Sequence, residues 1–206
     1  MKHLFLFVSF VFIFQVVVSQ DVESIKKKLN NGDYKTAKTE LSNIIQKDTK
    51  NKIALQLRAE AKMGLEDFYG AITDATLALE IDSTFVDALN TRGEAKSLLG
   101  DDDGAILDFD KAIKFAPKAS LAYTNRGLAK YNIEDLQGAY FDFSKALEIG
   151  PPDADKYYNR GVVKAELGEF VSAIDDYNKA IELDKTDANL YNFRGVAYYN
   201  INELDK

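Results

Sequence analysis

The chain has 206 residues, 33 acidic against 26 basic side chains, a formal net charge of −7, one histidine and no cysteine. That balance has the wrong sign for a surface that holds nucleic acid phosphates, and without cysteine there are no disulfides, thiolate metal sites or bacterial lipoprotein anchor. The one histidine is His3, so the chain beyond its first residues cannot assemble a Ser-His-Asp site or a His/Cys zinc site.

The first predicted element is a leader. Lys2 and His3 precede an apolar run from Leu4 to Val18, broken only by Ser9 and Gln15, and Val17-Val18-Ser19 offers small residues before Gln20. The run is short for a bilayer span of about 20 residues and reads as a secretory signal peptide over residues 1–19. Cleavage leaves no stable membrane anchor. The expected location is exported, periplasmic or secreted, and the lysine- and asparagine-rich style is bacterial.

From residue 20 onward the sequence repeats. The five arginines are Arg58, Arg92, Arg126, Arg160 and Arg194, each 34 residues after the last. Gly93, Gly127, Gly161 and Gly195 follow four of them directly. Ala71, Ala105, Ala139 and Ala173 form another series, and Ala78, Ala112, Ala146 and Ala180 a third. Asp74, Asp108, Asp142 and Asp176 keep the same period, three of them followed by Phe109, Phe143 and Tyr177. Lys111, Lys145 and Lys179 precede three of the alanines, and Pro117, Pro151 and Pro152 fall at junctions. A period of this length marks a stacked array that presents a long surface.

Taken in order, the repeats run over about 20–51, 52–85, 86–119, 120–153 and 154–187, with a partial sixth over 188–206. The first is degenerate: it keeps Gly32, Tyr34 and Ala37 but carries Leu41 and Ile44 at positions where other repeats have an aromatic residue or alanine. In the third, Asp102 replaces the apolar residue seen at Tyr34, Phe68 and Phe170, which predicts looser local packing. The fifth shows the pattern best. A helix over Tyr157–Leu167 breaks at Gly168-Glu169, and a second follows over Phe170–Leu183. There Phe170, Ala173, Ile174, Tyr177, Ala180 and Ile181 recur at i, i+3, i+4 and i+7 on one face. Small residues at 161, 173 and 180 let helix axes approach while aromatics fill the space between repeats. Gly100 and Gly168 suit turns that need a positive φ. Proline ends helices at two junctions, and Ser83 and Lys185 take its place at two others, weakening the stop signal. The sixth repeat has only its first helix, which leaves Tyr191, Val196, Tyr198 and Ile201 short of cover.

These residues resemble the tetratricopeptide repeat family over nearly all of the chain after residue 20. The resemblance implies an all-α fold, a right-handed solenoid of antiparallel helix pairs in 34-residue units. It also implies that first helices of successive repeats line a concave groove that takes a protein or peptide. Groove positions of the later repeats are Thr124, Leu128, Tyr131, Tyr158, Val162, Asn192 and Tyr199, aromatic bodies with polar tips of the kind favoured at protein interfaces. The earlier repeats present Gln56, Glu60, Asn90 and Glu94, a polar and acidic stretch. Family members that clamp a C-terminal carboxylate use lysine and asparagine at such positions, and acidic residues here would repel that ligand.

No phosphate-cradling glycine motif occurs, no cofactor or small-molecule substrate is implied, and no carboxylate pair stands out from the solvated helix faces. Asp101-Asp102-Asp103-Gly104 lacks EF-hand spacing and reads as a turn with a capped helix start. Because arginine and aspartate share one period, each arginine is expected within hydrogen-bond reach of a carboxylate or carbonyl oxygen, the pairs fixing repeat register. The reading is an exported, non-enzymatic protein-binding scaffold. Its alternatives are an assembly module that stacks through its uncapped C-terminal face and the targeting part of a longer enzyme.

Overall fold

The computed structural model describes residues 22–204, so the leader read from residues 1–19 lies outside the described residues. Among the described residues every regular element is a helix. Helix α1 spans 22–30 and is followed by α2 (Tyr34–Lys47), α3 (Lys52–Met63), α4 (Phe68–Ile81), α5 (Val86–Leu98) and α6 (Asp102–Phe115). Then come α7 (Ser120–Asn132), α8 (Leu136–Ile149), α9 (Ala154–Glu166), α10 (Phe170–Leu183) and α11 (Ala188–Leu204). None of the described helices is long and apolar enough to cross a membrane.

The chain groups into two compact units, one ending at Ala95 and the other starting at Lys96. In the first, α3 packs between α2 and α4; in the second, α6 to α11 pack in chain order, and α9 also meets α7 and α11. This is the all-α, helix-pair arrangement expected of a tetratricopeptide-type solenoid.

Each pair is joined by a turn that needs a left-handed residue. Gly32, Gly100 and Gly168 supply it at φ of +77°, +82° and +82°, while the equivalent places hold Glu66 at 59° and Glu134 at 63°. A side chain costs about 1 kcal/mol there relative to glycine, so the two glutamates are tolerated departures that the glycine pattern hid. The residue after the turn starts the next helix. Asp33, Asp67, Asp101 and Asp135, again 34 apart, each accept a hydrogen bond from the backbone N–H three residues on. Asp101 is therefore a helix cap. Asp102 half-buries its carboxylate, which accepts from the Ser97 hydroxyl and, at 3.1 Å, from the Asn132 amide, so polar contacts take the place of apolar packing there.

At the junctions without proline, Asp82 and Asp184 make the turn. Each Oδ1 accepts from both the backbone N–H and the hydroxyl of a threonine two residues on, Thr84 and Thr186, at 2.6–3.0 Å. The periodic alanines at 71, 105, 139 and 173 and at 78, 112, 146 and 180 are all fully buried. Their helices approach closely: a Cβ on Gly127 would lie 2.9 Å from the Phe143 ring, and one on Gly161 2.7 Å from that of Tyr177.

The arginine ladder lies within this core. Arg58, Arg126 and Arg160 each clasp the aspartate 16 residues ahead through Nε and one terminal nitrogen, at 2.6–2.8 Å from Asp74, Asp142 and Asp176. The remaining nitrogen Nη1 reaches 16 residues back, to Ser42, Asp110 and Ser144, and the same bond joins Arg92 to Thr76 and Arg194 to the Asn178 side-chain carbonyl. Arg58, Arg126 and Arg160 therefore each tie the second helix of one repeat to that of the repeat before it. Asp74, Asp108, Asp142 and Asp176 are at most 2 % exposed. Each also meets a lysine, Lys62, Lys96, Lys130 or Lys164, at 2.7–2.9 Å. These lysines also keep the 34-residue period. In three cases the ammonium further donates to a carbonyl in the first turn of the next helix, at Gly70, Gly104 or Ser172.

Candidate functional site

The odd-numbered helices carry the positions left over once core and ladder are assigned. In the second unit these are α7, α9 and α11. Thr124, Leu128 and Tyr131 share one face of α7 at i, i+4 and i+7; Tyr158 and Val162 follow on α9, and Asn192 and Tyr199 on α11. The structure divides these seven by role. Leu128, Asn192 and Tyr199 are open to solvent, with Tyr199 64 % exposed. Thr124 is half-buried and its hydroxyl donates to the Ser120 carbonyl in its own helix.

Tyr131 packs against the buried cluster of Ala139, Phe143 and Val163, and its hydroxyl donates to Oε1 of Glu166 on the adjacent α9. That hydrogen bond, together with burial and the Glu166 charge, pushes the phenol up to about 12. Tyr158 stands edge-on to Phe193 with ring centroids 5.1 Å apart and tilted against Tyr177 at 6.4 Å. Tyr158 and Val162 both join the cluster around Ala173, Ile174, Tyr177 and Ala197. Burial first, and the Asp187 charge second, raise the Tyr158 phenol. Tyr131, Tyr158 and Val162 therefore spend much of their apolar surface between helices, and Leu128, Asn192 and Tyr199 remain free to meet a partner.

The first unit carries a second constellation. Its odd-numbered helices α1, α3 and α5 line a cleft of about 440 Å³. Leu29, Ile53, Leu57 and Phe85 give it apolar surface, and Lys26, Asn30, Gln56, Glu60 and Asp87 its polar groups. Gln56 is buried and its Nε2 donates to Glu60 Oε1 at 2.7 Å. The tips of Glu60 and Glu94 reach solvent, yet the protein around them displaces enough water to disfavour the charge. For Glu60 burial raises the carboxyl pKa, the Gln56 bond opposes the rise, Asp87 adds to it and Lys26 opposes it. Glu94 is raised by burial and then by Glu60 itself. The sequence placed Gln56, Glu60, Asn90 and Glu94 on this side but picked out no carboxylate pair; the structure brings Glu60 and Glu94 close enough to repel. Lys26, Ile53, Phe85 and Asp87 were not anticipated. A usable signal existed for Lys26, since 26, 60 and 94 are one repeat apart.

A family model described as TPR repeat matches residues 163–202, and one described as tetratricopeptide repeat matches 86–118. No protein of curated function matches the chain significantly. Among solved structures, PilW, a widely conserved type IV pilus biogenesis factor, superposes with a TM-score of 0.76 at 19% identity, over 91% of this chain and 92% of its own. A thermophilic TPR protein of Thermus thermophilus gives 0.73 at 16% identity, over 88% and 98%. MamA gives 0.69 at 22% identity, over 80% and 96%. At these identities the likeness is one of fold.

Proposed function

We propose that the chain, two stretches of which match tetratricopeptide-repeat models, is an exported, non-enzymatic scaffold holding a peptide or protein segment on the first helices of its later repeats. Tetratricopeptide repeats generally bind proteins or peptides, and the apolar leader supports export to a periplasm or beyond the cell. The observation that carries the binding face is the exposure of Leu128, Asn192 and Tyr199 on α7 and α11, the two first helices that flank and touch α9. Exposed aromatic and aliphatic side chains beside polar tips suit a partner segment that buries them.

The test compares the purified protein with a Leu128→Ser, Tyr199→Ser variant in capturing partners from extract of its own host, followed by affinity measurement on whatever is captured. Both side chains are exposed, so the variant keeps its fold, which circular dichroism checks. Affinity for the captured partner should fall at least about tenfold, as loss of two interface anchors implies. Equal affinity contradicts this face. Tyr158→Ala would be a poor probe because that ring packs on Tyr177 and Phe193.

A second reading has its own observation. On α11, Tyr191, Val196 and Tyr198 are 42, 53 and 51 % exposed, an apolar surface fit for stacking on another chain. Capture of the protein by itself, unaffected at Leu128, would favour that assembly role.

A further inference from the structure

We infer that α11 is the docking site for one amphipathic helix of a partner chain, recognised by an aspartate followed directly by an aromatic residue. The inference deepens the second reading of the α11 face and rests on it. The two repeats before α11 show what such a helix offers. On α7 and α9, Nε and Nη2 of Arg126 and Arg160 clasp Asp142 and Asp176 of the following helix. The next residue of that helix, Phe143 or Tyr177, lays its ring where a Cβ on Gly127 or Gly161 would come within 2.9 or 2.7 Å. Helix α11 carries both halves of this receptor. The Arg194 guanidinium lies 5.4 Å from the Tyr191 ring, as those of Arg126 and Arg160 lie 5.5 and 5.7 Å from Tyr123 and Tyr157. Its Nη1 makes the same backward bond, here to Asn178. Among the described residues, however, its Nε and Nη2 have no hydrogen-bond partner. Nothing lies within 4 Å of a Cβ placed on Gly195.

The chemistry of the occupant follows. A guanidinium held over a ring, with Nε and one terminal nitrogen to spare, is a fork that takes a carboxylate through two parallel bonds. Gly195 leaves a notch between Tyr191, four residues before it, and Tyr198, three after, on one face of α11. A flat ring fits such a notch, and the exposed parts of Tyr191, Val196 and Tyr198 supply apolar surface around it. An aspartate with an aromatic residue next in sequence meets both groups at once, as Asp142-Phe143 and Asp176-Tyr177 do. Those pairs are framed by fully buried alanines three residues before the aspartate and four after it, at 139 and 146 and at 173 and 180. The partner helix needs small residues at the same two places to let the axes approach. One position departs from the earlier repeats: Lys130 and Lys164 also pair with the buried aspartate, and α11 has Tyr198 there. The partner's carboxylate therefore relies on Arg194 alone.

The test is an NMR titration of the purified protein with an acetylated, amidated peptide of residues 170–183, the sequence of α10, and with its Asp176→Asn and Tyr177→Ala versions. A peptide of this length is marginally helical alone, and NMR reads the weak binding that results. The unaltered peptide should shift amides of α11, and each altered one should bind at least about tenfold more weakly. In the protein, Arg194→Lys keeps the charge and loses the fork. It should weaken the unaltered peptide about tenfold and leave the Asp176→Asn peptide unchanged. Gly195→Leu fills the notch and, with nothing near its Cβ, should keep the fold while abolishing binding. Leu128→Ser should leave binding unchanged, which separates this site from the face on α7. If no peptide shifts α11, the docking reading of that face fails and this inference with it. If all three peptides shift α11 with equal affinity, or Arg194→Lys weakens all three alike, the face docks a helix but the aspartate–aromatic recognition is overturned.

Discussion

Asp142→Ala should lower the free energy of unfolding by about 3–5 kcal/mol, the cost of removing one partner from a buried ion pair. Asp142 is fully buried and receives two hydrogen bonds from Arg126, at 2.6 and 2.8 Å, and an ion pair from Lys130 at 2.9 Å. Its loss removes the buried counter-charge shared by Arg126 and Lys130 and leaves Arg126 only the half-exposed Asp110 carboxylate. The Arg126 hydrogen bond to Asp110 on the preceding repeat would then be the main remaining restraint on the guanidinium. The exposed pair between Lys145 and Glu148 provides the control: Glu148→Ala should cost about 1 kcal/mol or less. Urea unfolding with matched slopes measures both. A loss below about 1 kcal/mol at Asp142 would mean that the network is far better solvated than its burial indicates.

Phe143→Ala should cost a similar amount, about 3–5 kcal/mol, by a different route. The Phe143 ring is 1 % exposed, packs with Ala139 and Val163, and lies where a Cβ on Gly127 would come within 2.9 Å. Truncation leaves a cavity that rigid neighbouring helices fill poorly. Gly127→Leu alone should cost about 1–3 kcal/mol by overpacking against the ring. Combined with Phe143→Ala it should be clearly less harmful than the sum, because the new side chain enters the vacated space. Simple additivity would show that position 127 does not face Phe143 across the helix pair.

Much of this fold was legible because the same constraint is stated several times. Ala173, Ile174, Tyr177 and Ala180 could be assigned to one buried face from spacing alone. Arg126 and Asp142 could be paired from their common period. The lysine partners were harder to see: arginine occurs only at the ladder positions, so its period shows in composition, whereas Lys62, Lys96, Lys130 and Lys164 are hidden among many surface lysines. Glu66 and Glu134 broke the glycine signal because the turn geometry tolerates a side chain at modest cost. The binding face was the least legible part. Thr124, Tyr158 and Asn192 hold equivalent repeat positions, yet Phe193 covers Tyr158 while Asn192 stays in solvent. Exposure at such a position depends on the neighbouring repeat, which a single-position period does not encode. The cleft in the first unit shows the same limit, since the repulsion between Glu60 and Glu94 depends on two helices facing each other.

The central claim is that binding uses the first helices and leaves the second helices to hold the array together. Backbone hydrogen exchange, measured with and without the captured partner, tests it most directly. Partner-dependent protection in α7, α9 and α11, with α8 and α10 unchanged, is the predicted result. Protection concentrated on α8 and α10 would contradict it and move the binding surface to the opposite side of the helix pairs.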